Sequence, residues 1–259
     1  MSASNKPQTL SGTALVTGGA VRIGRSIVLK LAELGMDVLV HYRHSRSEAE
    51  RLCDTLRSMG RRGWALEGSL ESPAACDELW RMAHESAGAI RVLVNNASVF
   101  SREALIEADA ADFDRHWRIN ALAPMWLTRL LAQDVRANVD ASTSAGATPV
   151  AAVVNLLDRR VAMPESGGLP YLVSKCALHA FTCSAALELA PRIRVNAVAP
   201  GAILPPPGQR DIPEPAGRAP LQTRCRPEDV AEAVGFLAGS PCVTGQVIYV
   251  DAGQHLWSV

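Results

Sequence analysis

Lysine is nearly missing from this sequence. Of 26 basic residues in 259, three are lysine (Lys6, Lys30 and Lys175), which leaves 23 arginines. A surplus of either charge is missing as well, because 26 acidic residues balance the basic ones and the isoelectric point lies near 7.0. A nucleic-acid protein should carry a basic excess, so no nucleic-acid partner is expected, and nothing favours adhesion to an anionic membrane. No run of about 18 apolar residues exists, so no transmembrane helix is expected. The first ten residues hold Lys6 and Pro7 and lack the apolar stretch of a secretion signal. The six cysteines form no C-x-x-C pair. In a chain of this length they are expected to be buried thiols in a reducing cytoplasm. The six histidines lack metal-ligand spacing, so no metal is expected. With 48% hydrophobic and 20% charged residues the chain reads as a soluble globule, long enough for one large α/β domain.

Short apolar runs alternate with amphipathic stretches from end to end. Strand-like runs fall at 14–17, 38–41, 64–67, 92–95, 150–157, 195–199 and 247–250. Helix-like segments between them cover 25–34, 47–59, 73–86, 113–136, 172–189 and 227–238. Strands that alternate with helices imply βαβ units and a parallel sheet. Several strands are apolar on both faces, as when helices cover both sides. Gly35 and Gly60 follow helices as C-caps, and Pro73 follows Ser72 at a first helical position. The expectation is an α/β fold of Rossmann type: one doubly wound domain, a seven-stranded parallel sheet in three αβα layers, over residues 13–259. Residues 1–12 read as a flexible N-terminal tail. Residues 137–149, rich in Ala, Ser, Thr and Gly, read as a surface loop. Residues 200–220 hold seven prolines and three glycines, too long for a routine connection and therefore a candidate lid.

The first strand runs into Thr17-Gly18-Gly19-Ala20-Val21-Arg22-Ile23-Gly24 and then into a helix. Glycine allows a tight turn and close backbone approach. The helix N-terminus behind it offers free N–H groups and a positive dipole to a pyrophosphate. The second strand ends in His41-Tyr42-Arg43-His44-Ser45. In dinucleotide folds an acid here binds the ribose 2′-hydroxyl of NAD, whereas arginine accommodates a 2′-phosphate. No carboxylate stands there, and Arg43, His44 and Ser45 offer donors, so NADPH/NADP+ is the expected cofactor.

Tyr171-Leu172-Val173-Ser174-Lys175 places a phenol and an ammonium four residues apart, on one face of a helix. With three tyrosines and three lysines in the chain, such a pair arises by chance about 3% of the time. A nearby cation favours the phenolate and brings proton exchange toward neutral pH.

These features resemble the short-chain dehydrogenases/reductases, whose cofactor turn reads T-G-x-x-x-G-x-G and whose catalytic helix carries Y-x-x-x-K. The similarity spans about residues 13–253. It implies that Gly18, Ile23 and Gly24 line the pyrophosphate, with Arg22 in place of the middle glycine. It implies further cofactor contacts at Tyr42, Ser69, Leu70, Asn96, Ala97, Ser98, Pro200 and Gly201, beside Tyr171 and Lys175 themselves. Asn120, in Ile119-Asn120-Ala121, matches an asparagine that kinks a long helix and holds a water beside the lysine. Thirteen residues before Tyr171, where ordinary members place a serine, stands Asp158. A carboxylate cannot donate to a carbonyl oxygen unless protonated. It is suited to hold an N–H group, or to feed a proton to the tyrosine.

Arg22, the run from His41 to Ser45, Asn95-Asn96-Ala97-Ser98 followed by Phe100, and Asp158 with Tyr171 and Lys175 look like the pteridine reductase branch. The resemblance implies a small-molecule pterin or folate substrate, held by Arg22, Ser98, Asp158 and Tyr171 and stacked on Phe100. It also implies a homotetramer built through the Tyr171 helix and the last strand. Two other functions fit the same motifs: a carbonyl reductase acting on 3-oxoacyl thioesters, and a non-catalytic NADP(H) sensor.

Overall fold

The computed structural model describes residues 9–138, 150–204 and 219–256. Seven parallel strands form one sheet in the order β3-β2-β1-β4-β5-β6-β7. They are β1 (Thr13–Val16), β2 (Asp37–Tyr42), β3 (Gly63–Glu67), β4 (Ile90–Asn95), β5 (Ala151–Leu156), β6 (Ile193–Pro200) and β7 (Val247–Val250). Each strand-like run of the sequence is one of these strands. The helices are α1 (Arg22–Glu33), α2 (Arg46–Ser58), α3 (Pro73–Ala87), α4 (Ala110–His116), α5 (Ala123–Asn138), α6 (Leu169–Glu188) and α7 (Pro227–Gly239).

The period-two alternation of the strands divides the core in two. Ala14 and Val16 face α1, α2 and α7, whereas Leu15 between them faces α3, α5 and α6. Both faces are apolar, so helices cover both. Helix entry follows local rules: Ser72 accepts a bond from Ala75 N–H at 3.2 Å, with Pro73 at the first helical position. The chain order reverses between β1 and β4. The C-terminal ends of these strands therefore open a crevice at a topological switch point, the usual ligand site of such sheets.

Three expectations change. The helix expected over 113–136 is not continuous, because residues Trp117–Leu122 form a π-helical segment between α4 and α5. Leu10, within the tail expected over 1–12, is fixed: its N–H donates to Leu34 O at 2.7 Å and its side chain packs on the core, while residues 1–8 lie outside the described residues. Of the six cysteines only Cys53 and Cys76 are buried, while Cys176, Cys183 and Cys242 are exposed. The first two lie on the outward stripe of α6, seven residues apart and so on one face. Finally, residues 139–149 and 205–218, most of the expected surface loop and lid, lie outside the described residues. Among the described residues no helix is long and apolar enough to cross a membrane.

Candidate active site

The turn after β1 is held almost entirely through its backbone. The Thr17 hydroxyl accepts from the N–H groups of Asn96 and Ala97, each at 3.0 Å, and reaches Val94 O. The Asn96 amide donates to the carbonyls of Thr17 (2.9 Å) and Gly18 (3.0 Å). Asn96 and Ala97 thus clamp the turn, with these donors directed at it and not at the crevice. Gly24 is required for the close approach: a Cβ there would lie 2.1 Å from Gly18 O and 2.7 Å from the Asn96 amide nitrogen.

Arg22 keeps the left-handed backbone of the glycine it replaces, with φ of 56°. A side chain pays roughly 1–2 kcal/mol for that conformation, and strain of this kind marks functional positions. No acidic residue of α1 itself stands in its first turn, which suits an anion at its N-terminus. These glycines, the helix start and the Arg22 cation fit the pyrophosphate of a dinucleotide.

His41 stands in the motif at the end of β2, but the motif assigned it no role. Buried at the end of β2, it accepts at Nδ1 from Gly18 N–H (3.0 Å) and contacts Gly68 O with Nε2 (3.3 Å). An N–H and a carbonyl admit one tautomer between them, with the proton on Nε2. Burial, aided by the Arg43 charge and opposed by the Gly68 bond, pushes its pKa down to about 4. The ring is therefore a neutral strut joining the phosphate turn to the loop after β3. Beyond it Arg43 and His44 are exposed, and Ser45 precedes α2. The Tyr42 hydroxyl points to Glu67, which is ion-paired with Arg46. Ser69 accepts from Glu71 N–H in a local turn. The Leu70 side chain is buried with Leu66 and Leu79, which leaves its backbone for any nucleotide contact.

The opposite wall holds the reacting groups. Asp158 follows β5, and the Tyr171 hydroxyl donates to its Oδ2 at 3.1 Å. Burial raises the Asp158 carboxyl, but the Arg160 charge and hydrogen bonds outweigh it and hold the group below the ordinary carboxylate range. Asp158 is thus an acceptor in this structure, which corrects the expectation that it feeds a proton to Tyr171. A second correction concerns Tyr171: burial first, and the Asp158 carboxylate second, push its phenol well above the ordinary value. The hydroxyl therefore retains its proton in the resting site. Lys175 is buried and donates to Leu156 O at 2.7 Å, with Nζ 5.7 Å from the Tyr171 ring centroid. Burial pushes its pKa down to about 8, against the pull of Asp158.

Asn120 lies in the π-helical segment and is wholly buried. Its Oδ1 accepts from Val99 N–H (2.8 Å) and the Ser98 hydroxyl (3.1 Å), and its Nδ2 donates to Val99 O and Ser174 Oγ. Its side chain thus ties the segment after β4 to α6. Short π segments of this kind leave helical carbonyls unpaired and recur at functional sites. Phe100 is 45% exposed and meets Tyr171 edge-on, with centroids 4.9 Å apart. It belongs to the crevice wall and not to the core. Behind Tyr171, His116 is buried and edge-on to the ring at 6.2 Å. At the far end, Pro200 closes β6, and Gly201 is needed because a Cβ would lie 2.6 Å from the Gln254 side chain and 2.7 Å from that of Asp251.

Comparison with known proteins agrees with this arrangement. The sequence profile of the family described as enoyl-(acyl carrier protein) reductase matches residues 19–255. A 3-oxoacyl-[acyl-carrier-protein] reductase FabG of Staphylococcus aureus is 31% identical over 263 residues, covering 95% of this chain and 99% of the relative. The crystal structure of FolM alternative dihydrofolate reductase 1 from Brucella canis, complexed with NADP, superposes with a TM-score of 0.83 at 34% identity, covering 96% of each chain. A blue fluorescent protein from a metagenomic library, in complex with NADPH, gives a TM-score of 0.83 at 29% identity, covering 96% of this chain and 99% of that one.

Proposed function

The chain belongs to the short-chain dehydrogenase/reductase family, and we propose that it uses NADPH to reduce a C=N bond of a pteridine, a dihydrobiopterin- or dihydrofolate-type ring. It is an NADP(H)-dependent oxidoreductase of that family; the pteridine is the finer reading. One observation carries it: the Asp158 carboxyl receives the Tyr171 hydroxyl at 3.1 Å, where a carbonyl reductase needs a donor. A carboxylate at this point accepts from the N–H and amino groups that line one edge of a pterin. The exposed Phe100 ring beside Tyr171 supports the same reading, since it offers an aromatic face to a flat heterocycle. The similarity to FolM agrees with it.

Bound NADPH supplies the hydride. The chain supplies orientation and the proton. Asp158 anchors the substrate's N–H edge, which releases the Tyr171 hydroxyl to rotate toward a ring nitrogen. Tyr171 then gives up its proton, and the Lys175 ammonium stabilises the phenolate left behind. Arg22 and Ser98 face the substrate, and Gly18, Ile23, Gly24, Arg43, His44 and Ser45 receive the dinucleotide. We read residues 13–259 as one reductase domain with a lid near residues 200–220. The α6 residues Val173, Cys176, Ala180, Cys183 and Leu187 form an exposed, largely apolar stripe, which supports assembly of a homotetramer through this helix.

The test is NADPH oxidation with dihydrobiopterin, dihydrofolate and an acetoacetyl thioester in parallel. Turnover of a dihydropterin, with inhibition by a diaminopteridine antifolate, is expected. Turnover of the thioester alone would identify a carbonyl reductase. Saturable NADPH binding without any turnover, unchanged by Tyr171→Phe, would identify a sensor.

A further inference from the structure

Arg160 entered none of the motifs, yet it is the cation closest to the reacting groups. It is 9% exposed, at the C-terminal edge of the sheet, in a 3-10 turn spanning Arg159–Val161. Its Nε donates to Asp158 Oδ1 at 3.1 Å and its Nη2 to Oδ2 at 3.3 Å, while its backbone N–H donates to Oδ1 at 2.8 Å. The guanidinium carbon also lies 5.3 Å from the Phe100 ring centroid and 5.1 Å from that of Tyr171. The adjacent Arg159 is held elsewhere, bidentate on Glu165.

We propose that Arg160 is a positioning residue that acts through Asp158: it holds that carboxylate as an anion and aims it at the substrate's N–H edge, making the site selective for nitrogen-bearing rings. The inference rests on the pteridine reading in so far as the substrate presents N–H donors to Asp158. Three features support it. A two-point fork fixes a carboxylate in orientation as well as charge. A buried carboxylate without a partner would protonate instead. The two rings confine the guanidinium, so it stays where Asp158 needs it. The other groups around Asp158 do not replace it. From α6, the Tyr171 phenol is held well above its ordinary value, the Lys175 ammonium donates to Leu156 O, and the Cys176 thiol is pushed up by burial and by Asp158 itself. His116 touches the far side of the Tyr171 ring, and on the turn packed against Arg159–Val161, His255 is committed to Asp251.

The rival role for Arg160 is a plug that fills the aromatic slot until substrate displaces it. The test compares wild type, Arg160→Gln and Arg160→Lys in the pH profile of kcat/KM for dihydrobiopterin. Alongside it, the Asp158 carboxyl is titrated by 13C NMR, its resonance identified by loss in Asp158→Asn. In Arg160→Gln the acid limb and the carboxyl midpoint should both rise by about 1–3 pH units, KM should rise, and NADPH affinity should stay within about twofold. Arg160→Lys should restore most of the midpoint and less of KM, because it returns the charge without the fork. A lower KM in Arg160→Gln with the acid limb in place would overturn the proposal in favour of the plug. Parallel loss of NADPH binding and thermal stability in both variants would reduce Arg160 to a structural role. If wild type turns over no pterin, the pteridine reading fails, and the NMR titration decides alone: an unmoved Asp158 midpoint in Arg160→Gln overturns the inference.

Discussion

The two walls of the crevice are built by opposite means. The cofactor turn is held by neutral contacts: the Thr17 hydroxyl, the Asn96 amide and the His41 ring all bond to backbone, and Gly24 lets two segments touch. The catalytic wall is held by charges largely shielded from water, with Arg160 and Lys175 buried and Asp158 partly buried around the Tyr171 hydroxyl. Backbone contacts fix a shape and respond to sterics. Buried charges set proton affinities and respond to pH and to the loss of a partner. The first wall is suited to binding a constant ligand, the second to choosing a substrate and moving a proton.

Four changes test that division, from the largest effect down. Tyr171→Phe removes the proton donor and should lower kcat by about 10²–10⁴, with NADPH affinity unchanged by fluorescence titration; an equal loss of cofactor binding would mean that the walls are not separable. His41 sets an acid limit on the first wall. Its pKa in the folded chain is depressed to about 4 from an ordinary 6.5, so between these values the unfolded chain binds the extra proton. Stability is full above about pH 6.5 and declines as pH falls toward 4, by about 3 kcal/mol in all. Replacing His41 by Asn should flatten that part of the urea-denaturation profile. Gly24→Ala places a methyl against a carbonyl that cannot move aside, and should weaken NADPH by about 100-fold, in line with overpacking costs of roughly 1–3 kcal/mol. The Asp158 carboxyl midpoint should stay in place. Arg22→Gly should be the mildest: relief of the positive φ stabilises the fold by about 1 kcal/mol, while the affinity for NADPH or pterin falls.

A basic limit belongs to the second wall. Lys175 loses its proton near pH 8, and with it the charge that stabilises the phenolate. The kcat profile should therefore decline as pH rises through about 8.

The same division explains what could be read from the sequence. All seven strands were legible, because apolar runs bounded by turns survive as strands when both faces are covered. The cofactor turn was legible because glycine leaves a mark wherever the backbone must pass closely. The direction of the Tyr171 shift was not, because Y-x-x-x-K carries the neighbouring lysine but neither the burial nor the Asp158 contact that outweigh it. Arg160 was hidden among 23 arginines, two residues from the acid it neutralises. The role of His41 was hidden because its partners, Gly18 and Gly68, lie in the loops that follow two other strands. The exposed cysteines of α6 were misjudged because burial was inferred from residue type alone.

The central claim is that the Asp158 carboxylate selects the substrate. The most direct measurement is the ratio of kcat/KM for dihydrobiopterin to that for an acetoacetyl thioester, in wild type and in Asp158→Ser. The ratio should exceed one in wild type. It should fall by about 10–150-fold in the variant, the equivalent of one charged hydrogen bond of about 1.5–3 kcal/mol. A wild type that prefers the thioester, or a ratio that the substitution leaves unchanged, would contradict the claim.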